Sequence, residues 1–299
     1  MKVYLAGERE SLIGEFDYDW KKAIRRMLCS YYYSGALLNN VPTKDVWKKH
    51  DITTDLFLDS GAFSAMTKGV KIDIDAFAEY IHSNDIWTCV SNLDDTTGKS
   101  QVTYDNQKTL ESLGCGVCPV FHAREDPKWL RKYLDEGYDY IFIGGMVRES
   151  TKFLTAWLDD IWSHYLINPD GTPRVKVHGF GLTTVDLMFR YPWYSVDSST
   201  WLMTGVFGNC IFRLNGRYVN IPFSKDSPRA RDIKSRHFLN LSKEEREIIT
   251  KEVEALGITV ESCMFDYKYR DIVNAHTFQD MELFGVPEFI KQQRGLFDA

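Results

Sequence analysis

With 299 residues, 44% of them hydrophobic and 14% aromatic, the chain can bury a large core, as one barrel-sized domain or two ordinary ones. A net charge of -6 with 26% charged residues excludes a globally basic nucleic-acid binder and leaves only a local patch for phosphate. No apolar run approaches the ~20 residues of a membrane span, and the start, Met1-Lys2-Val3-Tyr4-Leu5-Ala6-Gly7-Glu8-Arg9-Glu10, turns charged too soon for a signal peptide, so a cytoplasmic protein is expected.

In chain order, β-rich apolar runs occupy residues 3–6, 28–33, 56–59, 86–93, 117–122, 140–144, 175–181 and 194–197. Helical patterns lie between most of them. Residues 75–82 and 105–113 form two, the second ending at Gly114. A third is announced by Asp126 as N-cap and Pro127 at the first turn, carries Trp129, Leu130, Tyr133 and Leu134 on one face, and stops at Gly137. A fourth begins at Thr151 and repeats Phe153, Leu154, Trp157, Leu158, Ile161, Trp162 and Tyr165 as a core stripe. Eight strands alternating with helices predict an α/β protein, a (β/α)8 TIM-type barrel over residues 1–204.

The pattern changes after Asp197. Residues 207–223 hold Asn215-Gly216 between two β-rich runs, a hairpin signal. A basic stretch follows, in which Arg213, Arg217, Lys225, Arg229, Arg231, Lys234 and Arg236 face only Asp226 and Asp232, and such a concentration of charge is expected to touch phosphate. Ser242 and Glu245 make a capping box for a helix reaching Leu256; residues 258–265 read as another strand and 277–299 as a helical tail. Residues 205–299 are therefore expected to form an appendage of hairpin, basic segment and helices, and the tail and exposed aromatics permit a homodimer or a partner subunit.

The six cysteines, Cys29, Cys89, Cys115, Cys118, Cys210 and Cys263, are scattered, which argues for reduced thiols. Cys115 and Cys118 with His122 resemble a partial metal set, but no second pair follows and they lead into a strand, so a structural role is expected and no metal or cofactor is predicted.

In a parallel barrel, chemistry sits at the C-terminal ends of the strands. The polar residues there are Asp59 and Ser60, Asp94 and Asp95, His122, Gly144 and Gly145 before Met146, His178 to Gly181, and Asp197. Asp59 and Asp197 are the pair that a nucleophile and an acid/base for glycosyl exchange require. With Phe63 nearby and Gly144-Gly145 allowing close backbone approach, such a mouth suits a planar, hydrogen-bonding ligand such as a purine. His178 is expected to pack inside the barrel.

These segments resemble, in order along the chain, those of the tRNA-guanine transglycosylase superfamily. Asp59-Ser60-Gly61-Ala62-Phe63-Ser64 is similar to its DSGGFQ segment and Leu93-Asp94-Asp95 to its FDE turn. Ile143-Gly144-Gly145-Met146 is similar to IGGL, with Glu149 near a following glutamate; residues 179–187 resemble GVGTPEDL and lead to Asp197 at the FDCV aspartate. The resemblance implies a (β/α)8 enzyme that exchanges guanine in a nucleic acid for a free 7-deazaguanine base. Asp197 would attack C1′ and form a covalent glycosyl-enzyme, and Asp59 would be the general acid/base. Asp94, Ser60, Gly144, Gly145 and Met146 would contact the base, Phe63 would stack on it, and His122 would stand near the position of a base-contacting glutamine.

The zinc motif of the family's tRNA enzymes is missing: only Cys210 and Cys263 follow the nucleophile strand, and Ala62 and Ser64 replace Gly and Gln. A zinc-less chain of this kind is most similar to the DpdA-type 7-deazaguanine DNA transglycosylases of bacteriophages and bacteria. That likeness implies insertion of a preQ0-like base into DNA, in the host cytoplasm for a phage-encoded enzyme, with the target nucleotide flipped into the mouth and the basic residues of the 213–236 stretch on flanking phosphates. A tRNA substrate, a non-catalytic nucleic-acid-binding partner subunit and a hydrolytic N-glycosidase are the alternatives.

Overall fold

The computed structural model describes residues 1–7, 18–19, 23–33, 55–147, 149–182 and 184–283. Eight parallel strands form one sheet: β1 (Lys2–Ala6), β2 (Arg26–Ser30), β3 (Asp55–Asp59), β4 (Cys89–Val90), β5 (Val120–His122), β6 (Tyr140–Gly144), β7 (Lys176–Gly179) and β8 (Ser195–Ser198). Their order is β4-β3-β2-β1-β8-β7-β6-β5. The first and last strands in that order are drawn together by a parallel bridge between Ser91 and Cys118, with Cys118 N–H donating to Val90 O at 2.9 Å and Asn92 N–H to Cys118 O at 3.0 Å. The sheet is thus curled in a TIM-like manner, and all strand C-termini point to one end, called the mouth below.

Alternation along the strands explains why both faces are dry. Val3 and Leu5 join the large outer cluster, whereas Tyr4 and Ala6 turn inward with Leu28, Phe57, Val120 and Phe142. The end opposite the mouth is tied by Asp55, which accepts from Lys2 Nζ (2.7 Å) and Tyr4 Oη (2.8 Å).

Helices α1 (Ala62–Thr67), α2 (Ile74–Ser83), α3 (Ser100–Ser112), α4 (Lys128–Asp135), α5 (Thr151–Ile161), α6 (Val185–Arg190) and α7 (Thr200–Val206) occupy the connections and follow β8. Asp73 caps α2 and Ser150 caps α5 through their side chains. β4 keeps two ladder residues of the expected eight, because the chain turns at residues 85–86 before it and Ser91 leaves the ladder to bridge Cys118, and α3 starts five residues earlier than expected.

Beyond α7, β9 (Asn209–Leu214) and β10 (Arg217–Pro222) form the expected antiparallel hairpin, and Ser242 and Glu245 make a complete capping box for α8 (Lys243–Ala255). Residues 258–265 do not form the expected strand. Thr259 accepts the Ser262 N–H and starts helix α9 (Val260–Phe265) instead, so a local cap overrides a β-rich composition. Helix α10 (Tyr267–Asp280) opens ten residues before the expected tail helix; residues 284–299 of that expectation lie outside the described residues.

Helix α10 gives the appendage a direction. Near its start, Arg270 Nε donates to Gly205 O, and Trp201 of the adjoining α7 donates to Ala6 O at the mouth end of β1. Near its finish, Gln279 Nε2 donates to Arg26 O and Val3 O at the opposite end of β2 and β1. Strand β9 runs alongside, Ile211 N–H meeting Asn274 and Ile211 O meeting Thr277, so the hairpin tip points away from the mouth. The chain then returns: Lys225 N–H donates to Met264 O, which brings residues 225–236 back toward the mouth end. Among the described residues, no helix is long and apolar enough to cross a membrane.

Candidate active site

At the mouth end of β3, Gly61 takes φ +74°, and a Cβ there would lie 2.4 Å from both Ser30 Oγ and Tyr32 Cβ. The turn this permits folds the Gly61 N–H back onto Asp59 Oδ2 at 3.0 Å, while Ser91 Oγ donates to Oδ1 at 3.4 Å. Burial first, then the charges of Asp94 and Asp197, push the Asp59 carboxyl up to about 7 against those two donors. Asp59 is therefore a carboxyl able to hold or release a proton near neutrality. Ser60 is buried and its hydroxyl donates to Asp94 Oδ1 at 3.3 Å; Phe63, one residue into α1, is 41% exposed on the rim.

Asp94 is the centre of a second cluster. Its Oδ2 lies 2.7 Å from His122 Nε2, whose ring Nδ1 is 3.3 Å from Glu125 Oε1, and Glu125 Oε2 also accepts the His122 N–H at 3.0 Å. Burial disfavours a charged ring, but the hydrogen bonds to Asp94 and Glu125 outweigh it and hold His122 up to about 10. His122 is thus an imidazolium between two carboxylates. The glycine pair has a purpose beyond backbone approach to a ligand: a Cβ on Gly144 would sit 2.8 Å from His122 Cδ2, and one on Gly145, at φ +69°, 3.0 Å from Ala123 N. The pair therefore makes room for the histidine. Glu125, three residues after His122, is a participant that the sequence reading passed over, although the His-x-x-Glu spacing at a strand end was visible.

On β8, Asp197 is 5% exposed, and its Oδ1 takes two donors, the Gly181 N–H at 3.0 Å and His178 Nε2 at 3.1 Å. His178 is fully buried with Phe57, Phe142 and Phe180 around it, and burial depresses its pKa despite Asp197. Its packing was expected. Its contact with Asp197 was not, because the two are 19 residues apart and meet only through the β7–β8 pairing.

The mouth thus brings together Asp59, Ser60, Asp94, His122, Gly144 and Asp197. Met146 is 3% exposed and belongs to the outer apolar cluster. Asp95 caps the following loop, accepting from Thr97 and Lys99 N–H, and Glu149 pairs with Arg124 through two bonds of 2.6 and 2.8 Å. The basic residues do not act as one group. Arg213 and Arg217 flank the hairpin tip at the end away from the mouth, whereas Lys225, Arg229, Arg231, Lys234 and Arg236 are exposed on the returning segment. There, Lys225 Nζ lies 4.0 Å from the centroid of the Phe265 ring and Arg236 pairs with Glu245 at 2.8 Å. Among the described residues no group of three or more His, Cys, Asp or Glu side chains is arranged to hold a metal ion.

No protein-family model and no curated protein matches the chain. Among solved structures, one titled native KDPGal is similar with a TM-score of 0.39 and 10% identity, over 67% of this chain and 82% of that one. A cube-shaped, highly porous cage designed by fusing symmetric oligomeric domains is similar with a TM-score of 0.37 and 13% identity, over 100% and 99%. Likeness at this level has no bearing on the chemistry of the mouth.

Proposed function

We propose that the curled sheet is a (β/α)8 barrel whose mouth exchanges guanine in DNA for a free 7-deazaguanine base, as a base-exchanging glycosyltransferase. The observation that carries this reading is the division between the two strand-end carboxyls. Burial and the neighbouring carboxyls push Asp59 up to about 7, where it can hold or release a proton near neutrality, while Asp197 keeps one oxygen in the grip of two donors. One group is suited to deliver a proton and the other to attack.

In the forward half-reaction, an Asp197 oxygen forms a bond to C1′ as the C1′–N9 bond breaks. The bonding pair leaves with guanine, and the Asp59 proton passes to the departing base. In the second half, the incoming base gives a proton to Asp59 and its nitrogen displaces Asp197 from C1′, regenerating both groups. The Ser60–Asp94–His122 cluster lies beside the acid and supplies a polar edge for the base, with Phe63 at the rim. Lys225, Arg229, Arg231 and Lys234 are the cations suited to flanking phosphates, on the same end of the fold as the carboxyls.

The test is exchange of labelled guanine or a preQ0-like base into matched duplex DNA and tRNA, with denaturing gels to detect the protein–nucleic acid adduct. Label is expected in DNA, with an adduct, and Asp197→Ala should abolish both. Full exchange by that variant would remove Asp197 as nucleophile, and label entering tRNA alone would change the polymer.

A further inference from the structure

We infer that His178 is a positioning residue for Asp197: together with the Gly181 N–H it pins Oδ1, so that Oδ2 is the oxygen presented to C1′. This rests on the proposed role of Asp197. The geometry carries it in three steps. Both donors, His178 Nε2 at 3.1 Å and Gly181 N at 3.0 Å, land on the same oxygen, and neither reaches Oδ2. A carboxylate only accepts, so Nε2 must carry the hydrogen. In a neutral ring Nδ1 is then an acceptor, and Ser195 Oγ, 2.6 Å away, must donate to it.

Ser195 is itself 2.5 Å from Tyr140 Oη, which then donates to the serine. The result is a one-way chain, Tyr140 to Ser195 to His178 to Asp197, in which every hydroxyl and ring hydrogen has one place to go. It runs through the closely packed interior, where Phe57, Phe142 and Phe180 meet the imidazole edge-on with centroids 4.7 to 5.2 Å away. These rings pack around the fully buried imidazole, and the serine and tyrosine hydroxyls select its tautomer. Tyr4, whose ring also lies edge-on to the imidazole, points its hydroxyl to Asp55 and takes no part.

The consequence concerns the rate of attack rather than binding. Without the His178 donor, a buried carboxylate loses orientation and half of its hydrogen-bond support, while the surface that holds nucleic acid is untouched. His178→Leu is expected to slow adduct formation with a guanine-containing duplex oligonucleotide, in single turnover, by about 10- to 100-fold, the worth of a hydrogen bond to a charged group. DNA affinity should stay within twofold. His178→Gln, whose amide N–H reaches toward the Nε2 position, should recover most of the rate, a rescue that a purely space-filling role would not produce. Ser195→Ala, which frees the tautomer without emptying the core, should give an intermediate loss and serves where the leucine variant does not fold. Adduct formation at the wild-type rate by the leucine or alanine variant, or a glutamine variant no faster than leucine, overturns the inference alone. A wild-type protein that forms no adduct overturns the exchange reading, and this inference with it.

Discussion

Raising the pH through the titration of His122 tests the electrostatics of the mouth without assuming any substrate. The ring titrates at 6.5 in its ordinary state and is held up to about 10 in the fold by Asp94 and Glu125. Below 6.5 the ring is charged in both folded and unfolded chains, and its pairing contributes fully to stability. Above 6.5 only the folded chain keeps the proton, and the contribution is lost as pH rises through about 10. The gap between these values corresponds to about 5 kcal/mol, lost at about 1.4 kcal/mol per pH unit. Asp59 acts in an earlier window, its contribution being complete below 3.8 and lost as pH rises through about 7, so the two overlap only near neutrality and the points at pH 8 and 9 report on His122. The assay is urea unfolding at pH 7, 8 and 9 for the wild type and for His122→Gln, which cannot ionise. The stability difference between them should shrink by about 1.4 kcal/mol with each pH unit. A difference constant across that range, or an imidazole NMR shift showing a neutral ring at pH 7.5, would refute the ion-pair cluster.

If Asp59 is the acid for base departure, the rate of exchange should decline above a midpoint near 7, and Asp59→Asn should remove that limb and cost about 10²–10⁴-fold; an unchanged profile would assign the limb elsewhere. Replacing Arg229, Arg231 and Lys234 with Ala should lower the salt slope of duplex DNA binding by up to about 2.7, at ~0.9 per phosphate contact. Replacing Arg213 and Arg217 should leave the slope unchanged, and equal effects from the two sets would place the hairpin tip in the interface. Gly144→Ala inserts a methyl 2.8 Å from His122 Cδ2 and should destabilise the fold by about 1–3 kcal/mol, measured by thermal or urea unfolding. Wild-type stability in that variant would show that the ring moves aside freely.

Much of this protein could be read before folding. The eight β-rich runs, the Asn215-Gly216 hairpin and the Ser242 capping box depend on neighbours within a few residues, and period, turn chemistry and caps are local properties. Placing Asp59 and Asp197 at strand ends was equally local, and a parallel sheet then puts them at one end of the fold. Residues 258–265 were misread for the converse reason: their composition favours a strand, but the Thr259 cap and the packing of Cys263 favour a helical turn.

Partnership and direction come from the folded arrangement. His178 reads as an apolar-run residue until β7 pairs with β8 and sets its Nε2 on Asp197, and Gly144 reads as a flexible turn until His122 is found filling the space beside it. The basic stretch reads as one cluster because its charges are adjacent in sequence. The reversal at residues 215–216 sends Arg213 and Arg217 to one end of the fold and returns Lys225 onward to the other. Charge and periodicity are written in the order of residues, whereas which end of the sheet a group faces, and which atom it meets, depends on how separate strands and helices align. The order of residues therefore sets which groups are available for chemistry, and the packing of β7, β8 and α10 sets which of them can act together.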